Sequence, residues 1–121
     1  MDFYGFILLC TLKNIAGMKI HKKEEFGKKK QHLASLAKAI SHPARISILK
    51  ILAKRGNCSC NEIVEELPLS QSTVSQHLKE LKNCGLISIT VQGTSSIYTL
   101  NQIMLLEFDH EFRKMMRSIL N

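Results

Sequence analysis

The chain has 121 residues, 45% of them hydrophobic, and 17 Lys or Arg against 10 Asp or Glu give a formal net charge of +7. That is enough chain for one modest core and too apolar for disorder throughout. The basic surplus suits an acidic partner such as DNA or an anionic membrane, without choosing between them.

The four cysteines, Cys10, Cys58, Cys60 and Cys84, are too few and too scattered for a secreted disulfide framework. Reduced thiols in a cytoplasmic protein fit them better. The apolar run Phe3 to Leu12 is too short to span a bilayer. It follows Asp2 and lacks a small-residue cleavage site, unlike a signal peptide, so no membrane partner is expected. Residues 1–18 read as an N-terminal extension. Either Met18 is the natural start, or the extra segment packs on a dimer.

No repeat, low-complexity stretch or Pro/Gly/Ser-rich linker interrupts residues 19–121, which read as one domain. Between Lys19 and Arg55 eleven basic residues meet only Glu24 and Glu25, a local net of +9, with Lys28, Lys29 and Lys30 the tightest run. This run reads as a solvated helix face rather than a dedicated DNA arm. Helical spacing of Leu33, Leu36, Ala37 and Ile40 predicts a first helix from about Lys23 to Ile40. His42-Pro43 interrupts it, and Pro43 suits the first position of a second helix that Gly56 stops.

Ser59-Cys60-Asn61-Glu62 has the form of a capping box, predicting a short helix with Ile63, Val64 and Leu67 inward and Pro68 at its end. Ser70 can cap the next helix, predicted from about Ser70 to Leu81 with Gly85 as its stop. Ile87, Ile89 and Val91 alternate with Ser88 and Thr90, Gln92-Gly93-Thr94-Ser95 forms a turn, and Ile97 to Leu100 pairs back as a hairpin. Asn101 starts a last helix with Leu105, Phe108, Phe112, Met115, Met116 and Ile119 as its apolar stripe. The class is mainly α with a small β-hairpin. Two short helices joined by a tight turn and followed by a two-stranded wing suit a winged helix-turn-helix.

A helix that reads the major groove needs compact polar side chains on one face and apolar anchors behind. Leu69 to Lys79 has that form: Val74 and Leu78 lie on one stripe, Ser72, Ser75, Gln76 and Lys79 on another. Periodicity alone equally describes an ordinary solvated helix. Beyond periodicity, Ile40-Ser41-His42-Pro43-Ala44-Arg45-Ile46-Ser47-Ile48-Leu49, Leu69 to Leu81, and Asn83-Cys84-Gly85-Leu86-Ile87 resemble, in order, three segments of the ArsR/SmtB metalloregulators. The resemblance spans roughly residues 33 to 100.

It implies a homodimeric repressor that releases double-stranded operator DNA when an inducer binds, with the first and last helices dimerising. It gives residues 19–121 as the DNA-binding and dimerisation domain. The DNA contacts it implies are Ser70, Gln71, Ser72, Thr73, Ser75, Gln76, His77 and Lys79, His77 being equally readable as a packed residue. The wing tip departs from the family, because Gln92-Gly93-Thr94-Ser95-Ser96 carries no Arg or Lys.

Asn57-Cys58-Ser59-Cys60 resembles the family's thiol sensing motif, which implies Cys58 and Cys60 as ligands for arsenite, antimonite or another thiophilic metal ion. Within a helix, residues two apart point about 200° apart. With Ser59 as cap, Cys58 is pre-helical and Cys60 lies in the first turn, where the helix N-terminus is expected to favour thiolate. A trigonal site asks for a third sulfur, from Cys84 or Cys10, though Cys84 reads better as a packing residue. A thiol redox switch is the rival sensing chemistry. Asp109 and His110 lack the second histidine of the family's zinc pair. No catalytic constellation stands out, so an enzyme is not expected. A winged-helix metal-binding or interaction module without operator specificity is the alternative from another class.

Overall fold

The computed structural model describes residues 26–121. The extension over residues 1–18, Cys10 and the expected helix start near Lys23 lie outside the described residues. Within them the order is α1 (Gly27–Ala39), α2 (Pro43–Arg55), β1 (Cys58–Ser59), α3 (Cys60–Val64), α4 (Gln71–Asn83), β2 (Ile87–Gln92), β3 (Ser95–Leu100) and α5 (Gln102–Leu120).

The helix boundaries follow from local chemistry. His42 is extended, as the residue before a proline prefers, and its Nδ1 accepts the Ala44 N–H at 3.1 Å while Pro43 opens α2. The capping box forms as predicted: Ser59 Oγ accepts the Glu62 N–H, and Glu62 Oε1 accepts the Ser59 N–H, both at 3.3 Å. α3 stops at Val64, well before Pro68. There the chain tightens into three-residue turns, with Glu66 and Leu67 donating to the carbonyls of Ile63 and Val64. Ser70 caps α4 by accepting the Thr73 N–H.

α4 runs on to Asn83, past the expected Leu81, because a Schellman motif ends it. Leu86 N–H bonds Leu81 O at 3.1 Å and Gly85 N–H bonds Lys82 O at 3.0 Å, with Gly85 at φ +87°. The turn delivers Leu86 and Ile87 into the core and starts the wing. β2 and β3 pair antiparallel from Ile87↔Leu100 to Gln92↔Ser95, leaving a two-residue loop, Gly93-Thr94. Gly93, at φ +62°, occupies the loop position that needs positive φ in a II′ hairpin.

The hairpin is one part of a three-stranded sheet ordered β1-β3-β2, an addition to the expected two strands. β1 pairs Cys58 with Tyr98 and Ser59 with Ile97. Two residues are too few to show strand periodicity, so this pairing left no pattern in the sequence.

The core joins Leu36 of α1, Ile48 and Leu52 of α2, Ile63 of α3, Val74, Leu78 and Leu81 of α4, and Leu86 and Ile87. α5 lies at its margin. Met104, Leu105 and Phe108 pack on the core, while Phe112, Met116, Ile119 and Leu120 remain exposed and no residue of the helix is buried. Among the described residues no helix is long and apolar enough to cross a membrane.

Candidate DNA interface and thiol pair

α4 divides as its sequence requires. Val74, Leu78 and Leu81 are fully buried, and Ser70, Gln71, Ser72, Thr73, Ser75, Gln76 and Lys79 are exposed. The hydroxyls at its head form a cluster: Ser70 Oγ lies 3.2 Å from Ser72 Oγ and 2.9 Å from Thr73 Oγ1. Gln76 Nε2 donates to Glu80 Oε1 at 3.3 Å, which fixes the amide's orientation on the outer face. Gln71 carries the other amide at the head of the helix. Such amides offer the paired donor and acceptor that match an adenine edge.

His77 corrects the expected contact set. Its side chain is only 9% exposed and turns inward toward α2. Arg45 Nε donates to His77 Nδ1 at 3.2 Å, and the His42 ring lies against it at 4.5 Å between centroids. The reason is geometric: one residue before Leu78 and three after Val74, position 77 falls at the edge of the buried stripe. Arg45 carried no expected role, since nothing in the spacing of α2 shows which α4 residue it meets.

The thiols lie at the β1–α3 junction. Ser59 is extended (φ −77°, ψ 165°), which places residues 58 and 60 on one side of the chain. Cys58 is fully buried and Cys60 half-buried. Burial pushes the Cys58 thiol up, partly offset by Arg55, and burial pushes Cys60 up as well. This corrects the expected lowering at a helix N-terminus, because a five-residue helix has little dipole to set against desolvation. Tyr98, opposite Cys58, also responds to the charge of Cys60, so a tyrosine that no motif singled out flanks both thiols.

Among the described residues no three His, Cys, Asp or Glu side chains converge as a metal site. Cys84 is buried at the end of α4 with Sγ donating to Leu81 O at 3.1 Å, the packing role expected of it. Asp109 binds Arg113 Nε at 2.7 Å. The donor set at residues 58–60 therefore fits a soft, two-thiol ligand and leaves any further ligand to come from elsewhere.

The polar α4 face and the buried α2–α4 contact lie in the stretch that matches a family model, which ends where the wing begins. The model is described as "Bacterial regulatory protein, arsR family" and matches residues 42–88. An uncharacterized HTH-type transcriptional regulator of Methanocaldococcus jannaschii is 37% identical over 70 residues, 58% of this chain and 79% of that protein. The chain belongs to the ArsR family of transcriptional regulators.

This ArsR-family chain is also 32% identical over 71 residues to an arsenical resistance operon repressor of Staphylococcus xylosus, covering 59% of this chain and 67% of the relative. Among solved structures it is similar to HlyU from Vibrio cholerae, at 30% identity and TM-score 0.59, covering 67% of this chain and 89% of that one. It is likewise similar to the transcriptional repressor PagR of Bacillus anthracis, at 32% identity and TM-score 0.57, covering 62% and 85%. The family consists of regulators rather than enzymes, and the winged helix-turn-helix is its fold.

Proposed function

We propose that this regulator is a homodimeric repressor that reads double-stranded operator DNA with the outer face of α4. It releases the DNA when a thiophilic metal or metalloid, such as arsenite or antimonite, engages Cys58 and Cys60. The observation that carries the DNA half is the separation on α4: seven of the eight expected contact residues are exposed while the apolar stripe behind them is fully buried. The exposed stripe of Phe112, Met116 and Ile119 supports pairing of two copies through α5, with residues 19–121 as the DNA-binding and dimerisation unit.

The inducer half rests on the extended Ser59, which sets residues 58 and 60 on the same side of the chain, and is supported by the likeness to an arsenical resistance operon repressor. Thiolates favour soft ions. A small free thiol, or a residue outside the described ones, would complete a three-sulfur site. The absence of a third converging ligand among the described residues favours, as a second reading, a redox pair at the same two cysteines.

A duplex selected by the protein from a random-sequence pool supplies the test. Gln71→Ala with Gln76→Ala should weaken binding to that duplex by on the order of tenfold or more, and binding to random DNA much less. Equal losses on both refute base reading by α4. The preformed complex is then titrated with arsenite, cadmium, zinc and peroxide. Arsenite or cadmium should release the DNA, and Cys58→Ser with Cys60→Ser should abolish that response. Release by peroxide alone selects the redox reading.

A further inference from the structure

Removing His77 from the DNA face leaves a buried imidazole at the junction of three helices. Arg45 Nε donates to its Nδ1, and Arg45 Nη1 donates to the carbonyl of Ala39 at 3.1 Å, the last residue of α1. His42 faces the same ring, and its own Nδ1 is committed to the Ala44 N–H as the cap of α2. An imidazole nitrogen that accepts a hydrogen bond carries no proton, so both bonds require neutral rings with hydrogen on Nε2.

A second proton on either ring would set an N–H against an N–H. On His77 it would also place a cationic ring beside Arg45, which is always charged. The groups acting on His77 are His42 and Arg45 from α2 and Glu80 one turn further along α4. Lys38 of α1 and Cys84 line the cleft that Arg45 and Glu80 share. Glu80 alone favours a cationic ring, and its carboxylate already takes the Gln76 amide.

We propose that His77 is a positioning residue for DNA reading: its neutral ring, gripped by Arg45 and backed by His42, sets α4 against α2, and protonation of the His77 ring loosens the recognition helix from its seat. The proposal rests on α4 being the reading helix. Burial, the adjoining His42 ring and the Arg45 guanidinium hold His77 below the ordinary histidine range. The folded, reading state therefore binds fewer protons than the loosened one. Its advantage is complete above the ordinary value of about 6.5 and is lost as pH falls through it toward the lower, folded value.

The expected sign is opposite to simple electrostatics, in which added positive charge tightens DNA binding. Affinity of the full chain for its selected duplex is measured by anisotropy from about pH 7.5 to about pH 5.5 at fixed salt. It should fall, approaching about tenfold per pH unit once His77 titrates. His77→Ala should bind weakly at neutral pH. His77→Asn, whose Oδ1 stands where Nδ1 accepts from Arg45, should restore most of that affinity and remove the acid loss. A wild-type affinity that is flat or tighter in acid overturns the proposal, as does an acid loss retained in His77→Asn.

Should the variants fail to fold by circular dichroism, nitrogen NMR of the unmodified protein decides. It should show His77 as the neutral Nε2–H tautomer at neutral pH, with ring titration and loss of affinity coinciding. A hydrogen on Nδ1, or titration without loss of affinity, overturns the proposal. Failure of α4 as the reading helix is separately visible, since Gln71→Ala with Gln76→Ala would then lose affinity equally on both DNAs while the His77 tautomer stays as described.

Discussion

Cys58 lies directly opposite Tyr98 in the β1–β3 pairing. One thiol of the pair is thereby backed by the central strand of the wing sheet, while the other opens α3, the helix before the reader. A ligand that draws the two sulfurs together would act on the wing sheet and on α3 from one point.

Raised thiols make metal binding a proton-releasing event. Both cysteines are protonated near neutrality, so Cd2+ must expel two protons to bind as a dithiolate. Cadmium affinity between about pH 6 and about pH 8 should therefore rise on the order of a hundredfold per pH unit. Arsenite differs, because each of its hydroxyls leaves as water with a thiol proton, and its affinity should change far less. Isothermal titration in two buffers of different ionisation enthalpy counts the protons. A cadmium response independent of pH would remove Cys58 and Cys60 as its ligands.

Gly85→Ala should destabilise the fold by roughly 1–2 kcal/mol, chiefly through backbone strain at its left-handed φ of +87°. An added Cβ would also stand 3.1 Å from Met104 Cε, but that flexible chain end can move aside. Adding Met104→Ala should therefore not restore the wild-type urea midpoint, and Gly85→Asn should be milder than Gly85→Ala because asparagine tolerates this conformation. Full recovery in the double variant would make sterics the larger effect.

The wing tip is neutral and exposed from Val91 to Ser95. Thr94→Arg should tighten binding to random and selected DNA alike and steepen the dependence of log affinity on log salt by about one phosphate contact. An unchanged salt slope would place the tip away from the phosphates.

Phe112 and Met116 sit one turn apart on the uncovered face of α5, and Phe108 stacks against Phe112 at 6.0 Å. Phe112→Glu should shift the protein to the monomer in analytical ultracentrifugation while Leu105 and Phe108 hold α5 on its own core. A dimer of unchanged affinity would place the contact elsewhere.

Much of this architecture was legible because its signals are local. Pro43 after His42, the Ser59–Glu62 box, Ser70 as cap and Gly85 as stop each act over three or four residues, and each does so in the structure. Pairings across the chain were not legible. β1 is too short to leave a pattern, and its partner strand lies about forty residues on, a separation that spacing cannot bridge. The packed reading of His77 could not be chosen over a DNA contact for the same reason: its inward turn depends on Arg45, 32 residues earlier, and on the ring of His42. The thiols were correctly placed around their cap, yet their proton affinity was misjudged, since desolvation depends on packing that no motif states.

The brevity of β1 sets an energy scale. Two antiparallel residue pairs exchange about one close set of hydrogen bonds, each worth about 1 kcal/mol net. Undoing the strand thus requires an amount comparable to the roughly 1–3 kcal/mol that typically couples an effector site to a binding site. A longer strand would demand more from a ligand held by two sulfurs, and no strand at all would leave the wing indifferent to it.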